Sequence, residues 1–322
     1  MHVPPTGLPY AIYYTILAAI AVPVNLVAIV ILARGECGLS RCITRYLVSM
    51  AVTDLLVIIT AVILNRLSGI YFPGSILNIT PVCSLSAAVT FAARVCSVWL
   101  TVSFTFDRFV AICCQKLKTK YCTERTATVV IITVCLLSCL TNIPWYFIHG
   151  PLYISGDVSW YCRLKKILYT SPIWRAFDAL DRILTPCLPF LLILLLNALT
   201  VRHILAASRA RERLRAASKA ETQSDPEMES RRKSIVLLFS ISGTFILLWM
   251  TYVVRFLYVR ITNDASFKSF TDPKFQFQEA ANMLQLLSSC TNTFIYAAVQ
   301  SKFRDELKKA AKYPFTLIAK II

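Results

Sequence analysis

Residues 83–108 read CSLSAAVTFAARVCSVWLTVSFTFDR. The run is apolar apart from small hydroxyl residues and Arg94, with Ser97 and Trp99 near its middle and Asp107-Arg108-Phe109 at its close. The 25 residue steps from Cys83 to Arg108, taken as helix at about 1.5 Å per residue, span about 37 Å and cross a hydrocarbon layer of about 30 Å with a slight tilt. A cysteine then meets one aqueous phase and an acid-base pair meets the other.

The rest of the chain fits that reading. Hydrophobic residues make up 57% of its 322 residues and the mean hydropathy is +0.61, above the range of a soluble domain. Seven stretches are long enough to span a bilayer, about 10–33, 43–70, 81–114, 126–147, 172–204, 234–259 and 275–299. A short amphipathic segment follows at about 301–311, where Phe303, Leu307 and Ala311 make an apolar strip beside Lys308. The predicted fold is an all-α membrane protein: one seven-transmembrane helix bundle over residues 1–322 with a short eighth helix on the inner leaflet.

A net charge of +17 would suggest nucleic acid in a soluble protein, but here the basic residues crowd alternate connections. Arg34, Arg41 and Arg45 form one group; Lys116, Lys118, Lys120 and Arg125 a second; Arg202 to Lys219 with Arg231, Arg232 and Lys233 a third; Lys302 to Lys312 a fourth. By the positive-inside rule the N-terminus lies outside and the C-terminus in the cytoplasm. The charge therefore reads as topology and contact with lipid headgroups, and no nucleic-acid partner is expected. No charged n-region or cleavage site precedes span one, which is expected to be a retained signal anchor.

Charged and polar residues inside spans are the functional candidates, since a carboxylate near mid-membrane costs about 2.5 kcal/mol or more. Asp54 in span two is one. Ser97, Ser288, Ser289 and Asn292 are expected at its depth. In the outer half lie Arg94, Asp178, Asp181, Arg182, Arg255, Glu279 and Asn282, with Trp249, Tyr252 and Phe256 as an aromatic wall. A guanidinium and a carboxylate facing one cavity can hold a zwitterion; the alternative is that Arg94 pairs with Glu279 or Asp181 and only joins helices. Asp178 and Arg182 are four residues apart and can also pair along span five. Asn78-Ile79-Thr80 in the first outer loop is a glycosylation sequon, followed directly by Pro81.

Cys83 with Asp107-Arg108-Phe109, Trp249 in span six, and Asn292-Thr293-Phe294-Ile295-Tyr296 in span seven resemble the signatures of rhodopsin-like G-protein-coupled receptors. Phe109, Thr251 and Thr293 stand where the family has tyrosine, proline and proline. The resemblance implies an outer disulfide between Cys83 and Cys162, the pair placed at the outer side among 12 cysteines; the others read as reduced small hydrophobes. It also implies a sodium ion held by Asp54, Ser97, Ser288 and Asn292, or else a water-bridged network there. It implies an inner cavity of Asp107, Arg108, Asn197 and Tyr296 for a heterotrimeric G protein, without fixing a Gq or Gi class. Arg231 stands where many members have an acid facing Arg108, so that lock is expected to be missing. With the sixth-span proline absent, the hinge is expected at Ser242-Gly243-Thr244.

Glu279 to Leu287 and Asn197 resemble more narrowly the small orphan subgroup thought to sense aromatic amino acids. The amine receptors' third-helix Asp falls at Thr90 and the opsins' retinal lysine at Leu286, so neither a bioamine site nor a Schiff base is expected. The resemblance implies a plasma-membrane receptor, not an enzyme, for an extracellular amino acid, small aromatic molecule or short peptide, with no required cofactor. The alternative is a non-signalling relative that scavenges ligand or partners another receptor. Protease, hydrolase and nucleotide-binding loop motifs are missing from the sequence.

Overall fold

The computed structural model describes residues 7–35, 37–217, 226–262 and 272–310. Ser224, Asp225, Ala311, Lys312 and the side chains of Arg211, Arg213, Arg215, Lys219 and Arg231 lie outside the described residues, and with them part of the expected inner loop and the end of the eighth helix.

Span one is Leu8–Ala33. Span two is Arg41–Val57, carried on by a π-helical stretch Ile58–Leu67 into Ser68–Tyr71. Span three is Thr80–Cys113 and span four Glu124–Asn142. Span five is Pro172–Arg182, a π-helical stretch Ile183–Cys187 around Pro186, then Leu188–Ala217. Span six is Pro226–Thr262 and span seven Pro273–Val299. The first six are apolar enough to cross a membrane on composition alone. Span seven has the length, 27 residues, and carries Gln278, Glu279, Asn282, Gln285 and Asn292, which need partners within the bundle.

Local signals start these helices. Ser40 and Thr123 accept from the backbone N–H groups of Ile43 and Thr126, and Asp272 accepts from that of Lys274 at 2.9 Å. Pro172 and Pro273 sit in first turns, where a missing N–H costs nothing.

The inner half of the core joins Tyr46, Met50, Leu100, Phe104, Leu237, Ile241 and Tyr296. Phe303 of the short helix at 301–310 is fully buried there, its ring 6.0 Å from that of Tyr296. Gly38 turns with φ +66, a conformation that favours glycine, and the end of the Lys302 side chain lies against it, which brings the first inner loop to the eighth helix. Span four is the peripheral member: Leu136, Leu137 and Leu140 face outward, and it packs on spans two and three.

The second outer loop is folded rather than irregular. Strand β1 (His149–Gly150) pairs antiparallel with β4 (Arg163–Leu164), and β2 (Tyr153–Ser155) with β3 (Val158–Trp160). Gly156 at φ +60 makes the tight turn. Cys162 is bonded to Cys83, with Cα atoms 5.8 Å apart, which pins the hairpin to the outer end of span three.

Asn78, the sequon asparagine, is 4% exposed; its side chain donates to the Phe72 carbonyl at 2.7 Å and accepts from the Ser68 hydroxyl at 3.1 Å. These bonds hold the turn of the first outer loop.

His149 couples this loop to pH. It is buried, and its Nδ1 lies 2.5 Å from the Trp145 carbonyl. Burial holds it below the usual histidine range, against the pull of that carbonyl and with the Lys165 ammonium adding to the depression. A depressed histidine contributes stability that is full above its unfolded value of about 6.5 and falls as pH drops below it, where the unfolded chain takes up more protons. Amide protection factors across 149–165, which are corrected for the intrinsic pH dependence of exchange, are expected to fall between pH 7 and pH 5 in the wild type, and to change little in His149→Gln.

Candidate ligand pocket and its coupling to the inner end

Trp249 stacks on Phe245 with ring centroids 5.2 Å apart and meets the Tyr252 edge at 5.9 Å. Its indole N–H donates to Ser288 at 3.2 Å, and Ser288 donates to the Gln285 carbonyl. The aromatic wall is thus tied to span seven.

The charges above it divide into three sets. Glu279 is buried and receives Arg66 at 3.5 Å, Tyr14 at 3.4 Å and Asn282 at 3.1 Å. Arg182 pairs with Asp178 at 2.8 Å, and Arg260 joins the same carboxylate at 3.2 Å. Arg255 donates to Gln278 at 2.9 Å. These contacts leave Arg94 as the exception. It makes no ion pair among the described residues, its guanidinium lies 5.8 Å from the Phe91 ring centre, and its buried Nε has no hydrogen-bond partner there. Asp181 acts on it only at longer range. The expected zwitterion cage is therefore half assembled, because Glu279 already serves Arg66.

Arg66, Tyr14 and Gln285 belong to this region and were not singled out from the sequence. A lone arginine in the outer half of an apolar span was a legible signal for Arg66. Gln285 is 3% exposed, and neither atom of its side-chain amide has a partner among the described residues; nothing in its sequence setting marks that.

Deeper, the Asp54 carboxylate accepts from Ser97 at 2.8 Å and Asn292 at 2.9 Å, with Ser289 also in reach. Asp54, Ser97, Ser288 and Asn292 border a void of about 20 Å³, room for a single water or small ion. One carboxylate with hydroxyl and amide oxygens is a hard donor set suited to an alkali cation.

At the inner end Arg108 pairs with Asp107 and donates to Ser234 of span six at 3.3 Å. Asp107 also accepts from the Cys42 thiol at 3.2 Å. A neutral hydroxyl thus meets Arg108 on span six. Asn197 and Tyr296 are not brought to Arg108: Asn197 donates to Ser242 at 2.8 Å, while Tyr296 is fully buried in the core. Ser242 donates back to the Leu238 carbonyl, a contact that bends helices. A Cβ on Gly243 would meet nothing within 4 Å, so the helix is unobstructed there.

Residues 24–296 match the model of the seven-transmembrane receptors of the rhodopsin family, and the chain belongs to that family of receptors, which are not enzymes. It is also similar to the FMRFamide receptor of Drosophila melanogaster, 25% identical over 293 residues that cover 87% of this chain and 49% of that one. The chain spans about half the length of that relative.

The Arg66–Glu279 pair is testable through stability. Breaking a buried pair costs about 3–5 kcal/mol, whereas replacing both members with apolar groups is often near neutral. Glu279→Gln is expected to lower the thermal unfolding midpoint of the purified receptor markedly, and Arg66→Met with Glu279→Leu to recover most of the loss.

Proposed function

We propose that this chain is a plasma-membrane receptor, N-terminus outside, that turns the binding of a short peptide ending in an aromatic residue into activation of a heterotrimeric G protein. The observation that carries the ligand reading is Arg94, a guanidinium within the bundle with no ion pair among the described residues. Such a group favours a ligand carboxylate or carbonyl, which it can meet with two parallel N–H donors. Trp249 and Tyr252 would take the aromatic side chain, and the Gln285 amide could meet the peptide backbone. Likeness to a receptor named for FMRFamide supports a peptide over a free amino acid.

Coupling would run through the Trp249–Ser288 contact to the Asp54 network, where sodium would favour the resting state, and on to the Arg108–Ser234 contact. A ligand shifts that equilibrium only by its differential affinity for the two packings. Opening would bring Arg108, Asn197 and Tyr296 to one cavity for the G protein's terminal helix.

Nucleotide exchange on purified Gi and Gq heterotrimers, driven by a panel of short peptides and free aromatic amino acids, tests the proposal. Peptide-driven exchange is expected, and exchange on neither heterotrimer would favour a non-signalling scavenger. Arg94→Ala should lower potency by at least about tenfold, the loss of one charge-assisted bond, with surface expression kept. Unchanged potency would remove Arg94 from the pocket. Agonist affinity in the wild type should fall as sodium rises and in Asp54→Asn should ignore it; a wild type blind to sodium would leave only a hydrogen-bond network.

A further inference from the structure

A cleft of about 470 Å³ opens on the flank of the bundle between spans three, four and five, within the size range of small-molecule sites. Its walls are Val95 and Trp99, Leu137 and Leu140, and Leu180 and Leu184. Leu137, Leu140, Leu180 and Leu184 are exposed on the bundle's surface, in the outer halves of spans four and five, so the mouth faces the hydrocarbon of the outer leaflet. The cleft exists because span four packs on spans two and three and scarcely touches span five.

Asp181 is the charged residue in the lining of this largely apolar cleft, which also carries the hydroxyls of Ser138, Thr141 and Thr185. Its partners are poor: the Thr185 hydroxyl at 3.5 Å is its one hydrogen bond, and it has no ion pair among the described residues. Arg182, beside it in sequence, pairs directly with Asp178 and acts on Asp181, as Arg94 does, only at longer range. A carboxylate on a lipid-facing wall is expensive without a direct partner. A cation arriving through hydrocarbon, a route that excludes metal ions and hydrophilic amines, would give it one.

From this geometry we infer that the cleft binds an amphiphile carrying an ammonium group on an alkyl chain. The ammonium meets the Asp181 carboxylate, the Thr185 hydroxyl accepts a second bond, and the chain lies along Leu137, Leu140 and Leu184. The ligand enters from the membrane, not past the outer hairpin, so this site is distinct from the peptide pocket around Arg94. A free long-chain amine and an aminophospholipid share the required chemistry.

The test uses the full receptor in phosphatidylcholine nanodiscs and a photoreactive dodecylamine, with labelled residues located by mass spectrometry. Labelling is expected within 134–144 and 177–185 and to be competed by dodecylamine but not by dodecanol or dodecanoate. Competition by added phosphatidylethanolamine would identify the phospholipid as a source, and its absence the free amine. Asp181→Asn should cut labelling by about tenfold or more. Leu137→Trp, which fills the mouth from an exposed position, should do the same without touching the carboxylate, and serves if Asp181→Asn does not fold. Equal competition by dodecanol, labelling unchanged in both variants, or labelling elsewhere on the bundle would overturn the inference. None of these readouts depends on G-protein activation or on Arg94, so failure here and failure of the peptide reading are separate outcomes.

Discussion

The Asp54 carboxylate is the constraint on which the bundle depends. A charged group in hydrocarbon must be met by groups from other helices, and Asp54 is met by Ser97 of span three and Asn292 of span seven. Three spans are thereby fixed in depth and rotation. Asn25 of span one adds a fourth through the Ser289 carbonyl at 2.8 Å. The apolar residues around this network add close packing but no hydrophobic driving force, since lipid is as apolar a neighbour for leucine as another helix is.

From that centre the polar contacts run in two directions and change character. Outward, charges are sorted into pairs that hold span seven to spans one and two and span five to span six. Arg94 and Asp181 make no ion pair among the described residues, and they border different spaces: one the interior beside Phe91, the other the lipid-side cleft. Inward, Arg45 of span two is bound to Glu124 of span four at 2.8 Å, but the side chain that meets Arg108 on span six is neutral. Arg108 reaches span six through one serine hydroxyl, a contact to a charged group worth about 1.5–3 kcal/mol.

The helices themselves are irregular where they must adapt. Spans two and five carry π-helical stretches, which rotate the outer segment relative to the inner one. In span five the stretch contains Pro186 and begins two residues after Asp181. Span six has no proline near Thr251, and the back-bonded Ser242 beside the unobstructed Gly243 supplies a place to bend.

Helix count, class of protein and the tether of Cys162 to Cys83 were legible in the sequence, because span length, residue order and the cysteines at the outer ends of spans are one-dimensional properties. So were the contacts of Asp54 with Ser97 and Asn292, since depth follows from counting residues along a helix. Which charge meets which was not legible: Glu279 goes to Arg66 and not to Arg94 because helix rotation and tilt, not depth, choose among candidates at one level. The outer hairpin, the burial of Asn78 and the cleft beside Asp181 depend in the same way on how non-adjacent segments pack. Residue order alone requires polar side chains to turn into a seven-helix membrane bundle, because hydrocarbon leaves them nowhere else to go. Which of them then lack a direct partner follows from packing, since that depends on the distance between groups on different helices.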